Sequence, residues 1–278
     1  MSLQSKPDKT PFSLCLESYG VRVRLESNNP KLFDDARIRA ELALAGNLRF
    51  TDQVDTPHVF RLERKGRGYI QVKNGERSGV SRNKRAFLKY FDSCLRLTIA
   101  EYAVGRVFVH AGVVGWNGKA IVIPGSSFSG KTTLVAELVK QGAEYYSDEY
   151  AVFDEEGLVH PFARRLGVRV VGPEGQVIET DHLTIEALGG TAGTSSLPVG
   201  WLLITAFDEE AKWEPKVLTS GNGVLDLLSQ TIPIRYAPEF SLKVLKKVAT
   251  NAIIVKSPRF DAVAFAKFFL DFVDNKAF

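Results

Sequence analysis

The sequence predicts an α/β protein with a mixed sheet, preceded by a small α+β region, and three observations carry that expectation. After Arg106, apolar strand-like runs ("VFVHAGVV", "KAIVIPG", "VGWLLIT", "AIIVK") alternate with helical patterns ("KTTLVAELVKQG", "SLKVLKKVATN", "FDAVAFAKFFLDFVD"). Alternation of this kind packs helices against a sheet. Before Arg106 the texture differs, with short period-2 runs followed by one long helical stripe. Between an apolar strand and an amphipathic helix lies "GSSFSGKTT", a glycine-bearing loop in the setting where such loops hold phosphate.

In chain order, "FSLCLESYGVRVRLES" alternates on both sides of Tyr19 and Gly20, which predicts two short strands. "HVFRLERKGRGYIQVKN" predicts a β-hairpin with a glycine-containing turn. In "KRAFLKYFDSCLRLTIAEYA", Phe87, Phe91, Cys94, Leu95, Thr98 and Tyr102 share one helical stripe. Trp116-Asn117-Gly118-Lys119 then joins two apolar runs, and Asn-Gly between strands is the strongest short-range hairpin signal, because both turn residues take positive φ. If Asn117 and Gly118 are the turn, an unbroken ladder sets position 110 opposite position 125. Leu134, Val135, Leu138 and Val139 define the buried face of the next helix, and Gly142 fits the position just past its end. "AEYYSDEYAVF" is a further strand with Asp148 and Glu149 in its middle.

At 278 residues, 45% apolar and 24% charged, the chain is long enough for one large or two modest domains, expected here as residues 1–105 and 106–278. No apolar run approaches the ~20 residues of a membrane span. Residues 1–11 lack the apolar core of a signal peptide and are expected to be disordered. The two cysteines, Cys15 and Cys94, lack metal-type spacing, as expected of buried free thiols in a reducing, cytoplasmic setting. Residues 1–105 hold 19 Lys/Arg against 12 Asp/Glu, and from Arg64 to Arg85 eight bases meet one acid, Glu76. A solvated hairpin accounts for that run, with a docking surface for an acidic protein partner as the functional alternative. No recognisable nucleic-acid module accompanies it. Nothing in these patterns calls for a membrane, and a homo-oligomer is compatible with them.

The loop spacing Gly125-x-x-x-x-Gly130-Lys131-Thr132 fixes the chemistry. Glycines let backbone N–H groups converge on phosphate oxygens, and the helix that follows adds the positive end of its dipole. Gly125, Ser126, Ser127, Phe128, Ser129, Gly130, Lys131, Thr132 and Thr133 are the candidate nucleotide-binding residues, with Lys131 toward the terminal phosphates and the Thr132 hydroxyl toward Mg²⁺. Asp148 and Glu149 follow seventeen residues after Lys131, and a parallel β-α-β crossover would set their strand beside the loop strand. Two adjacent acids in an apolar strand invite a division of labour, one on Mg²⁺ and one accepting a proton from an attacking hydroxyl. His110, expected opposite Gly125, is a candidate contact to the terminal phosphate or the catalytic acid. "HPFARRLGVR" supplies Arg164, Arg165 and Arg169, whose forks suit developing phosphoryl charge. His160 shows no partner in sequence, and residues 154–157 read as an acidic turn.

At these residues, from His110 to Arg169, the chain resembles the HPr kinase/phosphorylase catalytic domain and its relatives. That family carries a strand with a histidine, a hairpin, a G-x-S-G-x-G-K-S loop, a helix and an acidic pair at this offset, here "VHAGVVGWNGKAIVIPGSSFSGKTT" and "SDEY". The resemblance implies the fold shared with phosphoenolpyruvate carboxykinase, with ATP and Mg²⁺ as cofactors and a serine-type hydroxyl of a protein as acceptor. It casts Asp148 as base and Thr132 and Glu149 as Mg²⁺ ligands, and it matches His110 to the family's histidine; Arg169 joins the catalytic candidates through its fork alone. Two departures stand out: the second acid is Glu rather than Asp, so the acidic roles could be exchanged, and the family's downstream signature segment has no counterpart. Alternatives are a small-molecule kinase of the shikimate/gluconate type, against which the Asn-Gly hairpin counts, and a non-catalytic ATP-binding regulatory subunit.

Overall fold

In the computed structural model, residues 12–126, 129–171 and 177–276 are described, the side chains of residues 168–182 excepted. The chain divides into two compact units, Met1–Val104 and Gly105–Phe278.

In the first unit, strands β1 (Phe12–Ser18) and β2 (Val21–Ser27) meet through Tyr19 and Gly20, both at positive φ. Helix α1 (Pro30–Ala43) starts where the Asn29 side chain accepts the Leu32 N–H and Pro30 fills the first helical position. Then follow β3 (Arg49–Thr51), β4 (Val59–Lys65), β5 (Gly68–Lys73), β6 (Glu76–Ser81) and the 19-residue α2 (Lys84–Tyr102). The strands form one sheet in the order β3-β1-β2-β4-β5-β6. Leu16, Val23, Leu25, Phe60 and Leu62 on one face pack against Leu32, Ala36 and Ala40 of α1 and Phe87, Phe91 and Leu95 of α2. The opposite face carries Arg24, Glu26 and Arg61 as an ion-paired set. The stripe foreseen for α2 is buried at Phe87, Phe91, Leu95 and Thr98, whereas Tyr102 is exposed. Buried Asp92 on the same helix is held by Arg39 and Arg96.

The second unit opens with β7 (Val107–Trp116) and β8 (Lys119–Pro124), then α3 (Lys131–Lys140), β9 (Glu144–Ser147), β10 (Tyr150–Phe153), β11 (Val159–His160), β12 (Leu166–Val171) and β13 (Val177–Leu183). It continues through β14 (Val199–Ile204), β15 (Lys216–Val217), α4 (Ser220–Leu228), α5 (Pro238–Asn251), β16 (Ile253–Lys256) and α6 (Ala262–Asn275). The main sheet is mixed, in the order β11-β10-β7-β8-β14-β16-β15 with β9 also on β7, and β12 pairs with β13 separately. Strands β8, β14 and β16 run parallel. One face packs Leu134, Val135 and Leu138 of α3 and Phe265 and Phe269 of α6. The other packs Leu227 of α4 and Val244, Leu245 and Val248 of α5. At the end of α3, Gly142 takes φ 101° and its N–H donates to the Val139 carbonyl, while the Ala143 N–H reaches Leu138.

The turn at Asn117 (φ 49°) and Gly118 (φ 74°) sets β7 against β8 with Trp116 opposite Lys119 and Ala111 opposite Pro124. One expectation needs correction. Strand β9 runs in the same direction as β8 but does not lie beside it, because β7 pairs antiparallel with both. The hairpin already occupies that edge of β8, and β14 takes the other. The acid-bearing strand is also interrupted: β9 ends at Ser147 and β10 resumes at Tyr150.

Close packing of α3 on β7 depends on Gly112. A Cβ there would fall 2.6 Å from Val135 Cγ2 and 3.8 Å from Lys131 Cβ. Gly112→Ala is therefore expected to destabilise the second unit by about 1–3 kcal/mol, the usual cost of overpacking a tight interior. All three tryptophans, Trp116, Trp201 and Trp213, lie in that unit, so denaturant unfolding followed by tryptophan fluorescence measures the loss directly. An unchanged midpoint would contradict the packing argument.

Candidate functional site

The candidate site forms where β8 gives way to α3. Gly130 stands at the helix N-cap with φ 79°, no side chain caps the first turn among the described residues, and the first turn carries no acid. The start of α3 therefore presents backbone N–H groups and the positive pole of the dipole, a ready anion site. Lys131 is buried, and its Nζ donates to the Gly125 and Ser126 carbonyls at 2.7 Å each. Ser129 Oγ is buried without a hydrogen-bond partner among the described residues. Ser127 and Phe128 lie outside the described residues.

The hairpin register brings His110 to the start of this loop, where the Gly125 N–H donates to the His110 carbonyl at 3.2 Å. The imidazole is half-buried and sits edge-on to Tyr150, with ring centroids 6.2 Å apart. The same strand sets the acids. Val113 pairs with Ser147 and His110 with Tyr150, so Asp148 lies opposite Gly112 and Glu149 opposite Ala111, whose N–H donates to the Glu149 carbonyl at 3.2 Å.

Asp148 is gripped from two sides. The hydroxyl of buried Tyr145 donates to its Oδ1 at 2.9 Å, and Thr132, next to Lys131, stands near enough to the same carboxyl to lower its pKa. Burial pushes the Asp148 carboxyl above the usual range and the charge of Glu149 adds to this, against the pull of Tyr145, Arg164 and Thr132. Burial likewise drives the Tyr145 phenol well upward, reinforced by Asp148, so it stays a donor. Glu149 takes a different partner, Arg164 Nη1 at 3.1 Å. The Thr132 hydroxyl thus meets the acid that the resemblance casts as base.

Of the three candidate arginines, Arg164 reaches the acidic pair. Arg165 is exposed, and Arg169 lies on β12 opposite Glu179 with its side chain outside the described residues. His160 is not solitary: its Nε2 lies 2.7 Å from Asp154 Oδ2, and Asp154 also accepts the Glu156 and Leu158 N–H groups, closing the acidic turn. Sequence reasoning missed Arg259 altogether. It follows β16, is 2% exposed, and donates from Nη2 to the Gly130 carbonyl at 3.1 Å. A Cβ on Gly130 would fall 2.4 Å from that Nη2, so glycine here serves the approach of a side chain as well as the backbone angle. The one available sequence signal was an arginine three residues after an apolar strand.

Among the described residues no group of three or more His, Cys, Asp or Glu could hold a metal. One hydroxyl, Thr132, with the neighbouring acid pair is instead an oxygen-donor set of the sparse kind Mg²⁺ uses when substrate phosphates and water complete its shell. No helix among the described residues is long and apolar enough to cross a membrane.

No family model and no curated protein matches the chain. Among solved structures, it is similar to the Hpr(Ser) kinase/phosphatase from Coxiella burnetii, at 15% identity and a TM-score of 0.33, over 60% of this chain and 94% of that one. So loose a similarity carries no argument about the site, which stands on its own geometry.

Because Asp148 binds its proton more tightly folded than unfolded, stability falls as pH rises from the ordinary aspartate value of about 4 through the raised one. Asp148→Asn removes that slope while its amide oxygen still accepts from Tyr145. Without Mg²⁺ or nucleotide, the variant is expected to melt above the wild type at pH 7–8, with the gap closing below about pH 4. A wild type that is the more stable protein at pH 7.5 would refute the burial argument.

Proposed function

We propose that the chain is a phosphotransferase of the HPr kinase-like type that binds ATP with Mg²⁺ at residues 125–133 and transfers the terminal phosphoryl to a serine-type hydroxyl of a protein. The observation that carries this reading is that loop and acids meet on β7: Asp148 lies opposite Gly112, against which Lys131 packs, and the Thr132 hydroxyl stands near enough to the half-buried Asp148 carboxyl to lower its pKa. A loop that only held a nucleotide has no need of a carboxyl kept partly desolvated beside its metal-facing hydroxyl.

The chain's own groups divide as follows. Backbone N–H groups at the start of α3 and the Lys131 ammonium hold the phosphates, the ammonium leaving the Gly125 and Ser126 carbonyls for phosphate oxygens. Mg²⁺, when bound by Thr132 and a carboxylate of the pair, would neutralise charge on the phosphates. Asp148, whose raised affinity for protons suits a general base, accepts the proton of the attacking hydroxyl. Arg164 steadies Glu149 and stands near enough to Asp148 to lower its pKa. His110 borders the loop from the hairpin side. The exposed bases between Arg64 and Arg85 are the proposed docking face for an acidic protein substrate.

Incubation with γ-labelled ATP, Mg²⁺ and cell extract tests this. Wild type is expected to label a macromolecule, and Lys131→Ala and Asp148→Asn to reduce labelling at least a hundredfold, within the range for losing a general base. Equal labelling by wild type and Asp148→Asn would sink the base assignment. A Mg²⁺ titration separates the two acids, since Glu149→Gln should raise the Mg²⁺ requirement and Asp148→Asn should lower turnover at saturating Mg²⁺. Label confined to small molecules would overturn the protein acceptor.

A further inference from the structure

The three parallel strands β8, β14 and β16 end on the same side of the sheet, where open α/β sheets take ligands. The loop after β8 is the phosphate loop discussed above. The loops after β14 and β16 are joined: the Arg259 N–H donates to the Ala206 carbonyl and the Asp208 N–H to the Arg259 carbonyl, both at 3.0 Å. This backbone clasp sets Phe207 beside Arg259, whose guanidinium lies 5.7 Å from the Phe207 ring centroid. The two side chains are opposites in exposure, Phe207 at 54% and Arg259 at 2%.

Three features raise this pair above a stray surface aromatic. Arg259 is buried without a carboxylate hydrogen-bonded to it among the described residues, and its donors go instead to the carbonyls of Gly130 and Phe260. Burial lowers its hold on the proton, with only nearby Asp261 acting to restore it. Keeping a guanidinium there is costly unless its position matters. Its anchor is the last glycine of the phosphate loop, on the carbonyl side, away from the N–H groups that face phosphate. The ring it braces is thereby fixed at a set offset from that loop and remains more than half exposed.

We infer that Phe207, braced by Arg259, is the stacking platform for the nucleobase of the nucleotide whose phosphates occupy residues 125–133. This rests on the nucleotide reading above and adds where the nucleoside lies: on the β14/β16 side of the loop, opposite the acids. A ring face reads π-surface rather than base edges, so purine identity counts for little.

Isothermal titration of ATP, GTP and tripolyphosphate, each with Mg²⁺, tests it on wild type, Phe207→Ala and Phe207→Tyr. Phe207 is exposed, so neither substitution threatens folding. Wild type should bind ATP and GTP tighter than tripolyphosphate. Phe207→Ala should weaken both nucleotides about fivefold to a hundredfold, the range for losing one stacked base, and leave tripolyphosphate unchanged. Phe207→Tyr should retain nucleotide affinity. Nucleotide affinity untouched by Phe207→Ala, an equal loss for tripolyphosphate, or a loss for one nucleotide alone would each overturn the platform while leaving the phosphate reading intact. Failure of wild type to bind any of the three would overturn both.

Discussion

Nearly everything at the candidate site follows from the register of one strand. A two-residue turn at Asn117 and Gly118, both at positive φ, admits one pairing of β7 with β8, and that pairing delivers the Gly125 N–H to the His110 carbonyl. Strand β7 then serves as template on its other edge, where β9 and β10 add in a fixed register and set the acids opposite Gly112 and Ala111. A slip of one residue in either ladder would turn the acids or the histidine to the other face. Gly112 completes the arrangement, since only the absence of a side chain lets Val135 approach so closely. Loop, helix and acids are therefore referenced to one strand.

That arrangement is held at a cost. Asp148 is kept above its ordinary proton affinity by burial and by Glu149, and Lys131 is buried on two backbone carbonyls. The uncapped end of α3 adds unneutralised positive character. The helix end has the sign that a phosphate would complement. Ligand binding to such a site also adds to fold stability by mass action.

The parts legible in the sequence were those with strictly local causes. Asn117-Gly118, Gly142 and the 125–133 spacing encode backbone geometry within a few residues, and the corresponding turn, helix end and strand–loop–helix junction are found there. Other local signals were present but went unread. Asn29-Pro30 is an N-cap followed by a first-position proline, and it starts α1; Asn74-Gly75 is a second two-residue turn, and it leads into β6. Nonlocal features were not legible in principle. The insertion of β7 between β8 and β9, the pairing of Arg164 with Glu149, the His160–Asp154 contact and the seating of Arg259 on Gly130 all depend on which segments meet after folding. Periodicity identifies a buried face but not the neighbour that covers it.

The topology also accounts for why the acids come from the hairpin side. Strand β14 lies directly beside the loop strand, and its C-terminal end is where a phosphate-loop protein could carry its magnesium acid, yet the residue after it is Thr205. The acids instead arrive from the strand pairing with β7, on the far side of β8. The acidic pair is thus on one flank of the loop, and the β14/β16 flank carries Phe207 and the buried Arg259. The proposed nucleotide would accordingly lie with its terminal phosphates toward the acids and its nucleoside toward the aromatic ring.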